Sequence, residues 1–202
     1  MLEAWFGGSA TVGGPMRTEV QRRRFDVDDY HRMAQAGILS EDDRVELIDG
    51  EVVAMTPIGP RHNAAVDRAL RALVTAAGDK AIVRVQGSIR LHHFLEPQPD
   101  LALLRPQPDF YASQLPGPAD ILLLIEVAES SLAYDRDVKA RLYADAGVPE
   151  YWLVDLDHDV LLRHREPRSG AYQQVDQHRA GGMLAPAALL GCAVPVDVFL
   201  VA

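Results

Sequence analysis

Residues 120–131 read DILLLIEVAESS, and one loop earlier residues 96–105 read EPQPDLALLR. Both are short apolar runs bounded by turn-forming residues, the pattern of buried strands. Each carries a carboxylate where that pattern favours none: Asp100 at the start of the first, Glu126 inside the second. Alternation along the second run places Leu122, Leu124, Glu126 and Ala128 on one face and Ile121, Leu123, Ile125 and Val127 on the other. Glu126 thus shares its face with leucines. A buried carboxylate needs a cation, a hydrogen-bond network or a metal, or else it takes up a proton. The bland solution is an ion pair with Arg90 or Arg105, or a strand end already in water.

Asp100 alone is an ordinary turn residue after proline. Beside Glu126 it gains meaning, because neighbouring strands lie ~4.8 Å apart and two carboxylates on one face can share a hard divalent ion. A third acid from Glu46 or Glu51 on the preceding hairpin could complete the oxygen shell. Magnesium suits such a set, since it retains waters and takes phosphate oxygens from a substrate. Zinc-type spacing is absent, and the adjacent His92 and His93 point to opposite sides of a strand.

Of 20 basic residues only Lys80 and Lys139 are lysines. Lys80 sits in a polar turn as a surface charge. Lys139 follows Glu126 by thirteen residues, and two readings stand for it. It can form an exposed i, i+4 pair with Asp135, worth tenths of a kcal/mol. Alternatively its helix folds back on the Glu126 strand and directs the ammonium at the acids, where it orients water or stabilises charge on a phosphorane-like transition state.

The rest of the chain supplies a frame. DVDDYHRMAQAGIL is a short helix, capped by Asp26 or Asp28 and ending near Gly37. DRVELIDGEVVAMTP alternates around Asp49-Gly50, a strong hairpin signal. In RHNAAVDRALRALVTAAGD, Val66, Ala69, Leu70, Leu73, Val74 and Ala77 share a helical face. KAIVRVQGSIRLHHF resumes strand character with a bend at Gly87. After Ser130 or Ser131, a helix over 131–146 repeats Tyr134, Val138, Leu142 and Ala146, and Gly147 with Pro149 stops it. EYWLVDLD is a strand, LLRHREP and GAYQQVDQH a further hairpin, and the last twenty residues a small-residue segment ending at an edge or interface. These elements predict an α+β domain, a mixed or mostly antiparallel sheet with helices at about 61–77 and 131–146.

Composition bounds the function. A chain of 202 residues with 48% hydrophobic content suits one globular domain. The expected layout is a flexible tail over residues 1–24 and a single domain over 25–202. The lone Cys192 excludes an internal disulfide. No signal-peptide pattern or ~20-residue apolar span is present, so a soluble, cytoplasmic protein without membrane partners is expected. A net charge of −9 argues against a general nucleic-acid coat, though one local basic face can still hold DNA. A serine hydrolase built on Ser130 or Ser131 lacks the required Gly-x-Ser-x-Gly turn.

RVELIDGEVVAMTPIGPRH, EPQPDLALLR, REPRSGAYQQV and above all IEVAESSLAYDRDVKARLYADAGVPEYWLVD resemble the Uma-two family of restriction-endonuclease-like proteins, in the PD-(D/E)XK nuclease superfamily. The resemblance runs from about residue 25 to the carboxyl terminus. It implies a restriction-endonuclease-like core, a central mixed sheet flanked by helices, and a metal-dependent phosphodiesterase site. Carried over, Glu46 is the early acid, Asp100 the acid of the PD element and Glu126 the second-strand acid. The superfamily places lysine two residues after that acid, where this chain has Ala128. The resemblance implies that the lysine has moved to the following helix, as Lys139.

The expectation is therefore a Mg²⁺- or Mn²⁺-dependent endonuclease acting on DNA. Asp100 and Glu126 hold the metal, Lys139 and Glu46 complete the catalytic set, and His62, Glu51 and Asp135 are further candidates. An apolar carboxyl terminus suits a homodimer. The competing expectation is an inactive nucleic-acid- or protein-binding module on the same fold.

Overall fold

The computed structural model describes residues 22–40 and 42–200. Helix α1 (Val27–Gln35) leads to the hairpin β1 (Val45–Ile48) and β2 (Glu51–Ala54). Helix α2 (Pro60–Ala77) follows, then strands β3 (Ile82–Val85), β4 (Leu101–Leu104) and β5 (Ile121–Ala128). A broken helix comes next: α3 (Leu132–Tyr134), a π-helical turn at Asp135–Lys139, and α4 (Ala140–Asp145). Strands β6 (Glu150–Asp155), β7 (Val160–Arg168) and β8 (Ala171–His178) complete the main sheet, and the short pair β9 (Met183–Leu184) and β10 (Val194–Pro195) closes the chain.

The main sheet has six strands in the order β3-β4-β5-β6-β7-β8. All neighbours are antiparallel except β5 and β6. That parallel pair dictates the layout, because two parallel strands cannot be joined by a tight hairpin. The chain must cross over the sheet between them, and α3, the π turn and α4 are that crossover. Apolar side chains fill both faces. On one, α2 packs Ala65, Val66, Ala69 and Leu73 against Leu123, Ile125 and Val127. On the other, Leu142 and Tyr143 of α4 meet Leu124, Ala128, Tyr151 and Leu153.

Local signals explain most elements. Asp26 caps α1 by accepting the Asp29 N–H. Asp49 and Gly50 both take positive φ, +50° and +81°, as a two-residue hairpin turn requires. Gly78 ends α2 at φ +52°, and Gly147 at φ +76° follows α4.

Several expectations need correction. The alternation read along β5 holds from Leu123 to Ala128 but inverts before it, with Leu122 on the α2 side and Ile121 on the other. The cause is a register shift between Leu103 and Leu104, which pair with Leu123 and Ile121; an irregularity of this kind flips side chains upstream of it. Val74 is half exposed, and Ala65 takes the buried place on α2. β3 stops at Val85, and the bend expected at Gly87 falls one residue earlier, at Gln86, where φ is +44°. The last segment, expected at an edge or interface, forms the separate pair β9–β10, and its Val194, Val196 and Phe199 are buried, with Phe199 meeting Trp152 edge to face at 5.5 Å. The tail expected over residues 1–24 lies outside the described residues as far as residue 21. Arg24 is already tied to the hairpin, donating to Asp49 O at 2.9 Å and stacking on Phe94.

The β7–β8 hairpin carries a surface charge cluster with a testable consequence. Asp176 accepts from Arg163 at 2.6 Å, Arg165 at 3.3 Å and His178 at 2.5 Å. Partial burial raises its carboxyl, but the bonds from Arg163 and His178 outweigh that and bring it down to about 2. A depressed folded-state value stabilises the fold above the unfolded pKa and ceases to do so as pH falls through the folded one. Asp176→Asn should therefore lower the melting temperature at neutral pH, with the gap to wild type closing between pH 3.8 and about 2. An unchanging gap across that window would show that the cluster contributes no linkage.

Candidate active site

Glu126 sits in the last turn of pleat of β5, on the face that the crossover helix covers. Its antiparallel neighbour brings Asp100 alongside: Leu101 pairs with Ile125, so the residue before it meets Glu126, and the Asp100 N–H donates to Glu126 Oε2 at 3.3 Å. The Val127 N–H answers by donating to Asp100 Oδ2 at 2.9 Å. Glu46 enters from β1, its Oε2 fixed by the Gln98 N–H at 3.1 Å. Glu46 comes from β1, Glu126 from β5 and Asp100 from the residue just before β4, yet backbone amides hold them together.

Lys139 reaches this group from the opposite layer. Its Nζ lies 3.0 Å from Glu46 Oε1, 3.1 Å from Glu126 Oε1 and 4.0 Å from Asp135 Oδ1. The Lys139 side chain is only 7% exposed, and those of Glu46, Glu126 and Asp135 4–5%. The π turn makes this possible: the Ala140 N–H bonds to Asp135 O five residues back, and Asp135, Lys139 and Tyr143 all turn inward. Tyr143 donates to Glu126 Oε1 at 2.7 Å. The Ser131 hydroxyl, expected to cap the helix, instead donates to Asp135 at 2.5 Å. Of the apolar stripe expected at Tyr134, Val138, Leu142 and Ala146, Leu142 is buried and the other three pack half-buried against the same core.

Burial governs the electrostatics. It pushes the Glu126 carboxyl up to about 8 against the pull of Lys139, with Asp135, Asp100 and Glu46 acting in the same upward direction. Asp135 is raised for the same first reason. Lys139 also moves up: burial disfavours its ammonium, but the carboxylates of Glu126, Glu46 and Asp135 outweigh that. Glu46 Oε1, 3.0 Å from Nζ, gives the ammonium a second carboxyl partner beside Glu126.

The cluster lines a cavity of about 310 Å³. Five acids border it (Glu46, Asp100, Glu126, Glu129 and Asp135) against Arg44, Lys139 and the imidazole of His62. His62, in the first turn of α2, brings Nε2 to 3.0 Å from Asp100 Oδ2. Glu51 does not join: it is exposed on β2 and pairs with Arg22 at 3.1 Å. Glu46 and Glu51 lie on the same face of the hairpin, since Glu51 pairs with Ile48, but Glu51 sits at the turn end, away from the pocket that Glu46 lines. Arg90 and Arg105 are also engaged elsewhere, with Glu96 and with Ala119 O. Gln98 and Tyr143 escaped the sequence reading. Tyr143 lay open to it, as the next member of the 135, 139 row.

No three His, Cys, Asp or Glu side chains converge as a ready-made metal cluster among the described residues. The donor chemistry still fits a hard cation of the magnesium type, which binds through one or two carboxylates and completes its shell with water and substrate oxygens. Both hydrogen bonds that reach the Asp100 carboxylate fall on Oδ2, leaving Oδ1 as a donor. Glu126 Oε2 holds only the long bond from Asp100 N.

The model of the Uma2 family, described as "Putative restriction endonuclease", matches residues 27–197. The chain belongs to this family. A crystal structure from Anabaena variabilis ATCC 29413, described as a "putative nuclease belonging to DUF820", shares the fold with a TM-score of 0.69 at 14% identity, over 87% of this chain and 97% of that one. The six-stranded mixed sheet with flanking helices is thus the restriction-endonuclease-like architecture. No curated protein matches, and no helix among the described residues is long and apolar enough to cross a membrane.

Removing one partner of a buried ion pair leaves the other charge uncompensated, at a cost of ~3–5 kcal/mol. Lys139→Met should destabilise the fold by about that amount in urea denaturation, whereas Tyr143→Phe, which deletes one hydrogen bond to a carboxyl group, should cost ~1–3 kcal/mol. A reversed order would mean that the acids are held by protons and not by the ammonium.

Proposed function

We propose that the chain is a divalent-metal-dependent endonuclease that hydrolyses phosphodiester bonds in DNA. The observation that carries this reading is the pairing of Asp100 and Glu126 on adjacent strands with the Lys139 ammonium at 3.1 Å from the second acid, in a cavity where acids outnumber bases. Membership of a family described as "Putative restriction endonuclease" supports it. Such a pocket repels a bare phosphate and accepts one only together with added positive charge.

Each side chain has a distinct task. Asp100 and Glu126 would hold Mg²⁺ or Mn²⁺. When bound, that ion would neutralise the scissile phosphate and lower the pKa of coordinated water. Glu46 fixes Lys139 by accepting at 3.0 Å. An ammonium has three donors, and Glu46 and Glu126 take two of them, so the third is free to orient the attacking water or to meet negative charge growing on the phosphoryl oxygens. Tyr143 holds Glu126 Oε1 from beneath, which leaves Oε2 for the cation. With Lys139 on the crossover helix, lysine is not needed at position 128.

Supercoiled plasmid incubated with the protein and Mg²⁺ or Mn²⁺ should be nicked, and EDTA should stop the reaction. Asp100→Asn and Glu126→Gln, close in size to the native residues, should fall to the EDTA background while still folding. Efficient cleavage of a matched RNA in place of DNA would refute the substrate. Folded protein inert toward both, with metal present, would leave a binding module.

A further inference from the structure

We infer that His62 is a positioning residue for Asp100, a role that deepens the metal-site reading above and rests on it. Imidazole Nε2 lies 3.0 Å from Asp100 Oδ2, and Val127 N donates to the same oxygen at 2.9 Å. A carboxylate oxygen accepts, so both contacts are donors converging on Oδ2. Their joint effect is to fix the plane of the carboxyl group and to spend one of its oxygens on the protein. The other oxygen, Oδ1, is the one left for a cation.

Two further observations separate this from an ordinary core histidine. His62 is buried, its side chain 9% exposed, yet Nδ1 has no hydrogen-bond partner. Buried polar atoms without partners are rare in folded proteins, and a histidine retained for packing alone would be replaced by an apolar residue without that penalty. The Asp100 contact is the polar interaction that this ring makes. The second observation is where α2 begins. Its first turn opens onto the cavity, with Gly59 and His62 both in the wall, while the Arg61 guanidinium ties the same turn to Leu156 O at 2.7 Å and to Glu129 at 3.4 Å. Pro60 at the first helical position presets the backbone there. The helix start is therefore anchored on both sides of His62, and the ring is carried by a rigid element to the strand end where Asp100 sits.

A group that orients a metal-binding carboxylate typically changes metal affinity by about 10–100-fold when removed. Mn²⁺ binding, followed by the loss of the free-ion electron paramagnetic resonance signal, tests this without recourse to activity. His62→Leu should bind Mn²⁺ about tenfold or more weakly than wild type. His62→Gln, whose amide can donate from near the place of Nε2, should recover most of the loss. Melting curves of both variants report folding separately. Should His62→Leu prove unstable, the ¹⁵N signals of the wild-type ring decide: the positioning role requires hydrogen on Nε2, and a ring protonated only at Nδ1 overturns it. Equal Mn²⁺ affinity in folded His62→Leu and wild type, with binding lost in Asp100→Ala, would overturn the role of His62 and leave the metal site standing. No Mn²⁺ binding by wild type would overturn both.

Discussion

Four carboxylates, Glu46, Asp100, Glu126 and Asp135, are buried around the ammonium of Lys139. Ionised groups without partners do not persist in a protein interior, so the surrounding structure has to deliver that ammonium to within about 3 Å of two acids at once. Three strands, one hairpin and a distorted helix converge on this requirement. The apolar packing on either side of the sheet could be met by many arrangements of the same elements. The charge arrangement is far more selective, because displacing any member leaves another unpaired in a medium where charges interact strongly.

The parallel pairing of β5 with β6 follows the same logic. An antiparallel partner would have allowed a short turn after Glu126 and removed the helix that carries Lys139. With β6 parallel, the chain must traverse the face on which Glu126 lies, and the crossover becomes the lid of the acidic pocket. Across the π turn at Asp135–Lys139 the charged row faces inward beside the apolar stripe. Such insertions interrupt regular helical bonding and concentrate at functional sites. Here the gain is visible in Asp135, Lys139 and Tyr143, three polar side chains that reach one carboxyl group or its neighbours.

Much of this could be read from the chain. The acid inside ILLLIEVA could not sit in that run without a partner, and the Asp49-Gly50 turn, the cap at Asp26 and the stops at Gly78 and Gly147 rest on local chemistry that tertiary contacts did not override. The remainder depends on distance in sequence. Nothing local reports the register shift at Leu103 and Leu104 that inverts Ile121 and Leu122. Burial of Val194, Val196 and Phe199 against Trp152 depends on where the sheet leaves space, and small apolar residues suit an interface equally well. Glu46 and Glu51 were indistinguishable by type and spacing, and only the placement of the hairpin selects Glu46. The helix was half legible: its apolar row packs on the core at Leu142 and half-buried at Tyr134, Val138 and Ala146, while the row Asp135, Lys139 and Tyr143, spaced by the same four residues, turns inward beside it.

Position 128 brings these threads together. In an extended strand, residues two apart share a face and stand ~6.6 Å apart, so a lysine at 128 would rise beside Glu126 in the same layer. Ala128 is instead 1% exposed and packed among Leu124, Ala140 and Tyr143. A long side chain there would displace the residues that press the crossover helix onto the sheet, and its ammonium would compete with Lys139 for Glu126. Small residue and distant lysine are thus two aspects of one solution. Alanine leaves room for the helix against the sheet, and Lys139 brings its ammonium to the acids from that helix. The crossover helix is therefore part of the site, and its contact with the sheet at Ala128 sets how deeply the lysine enters.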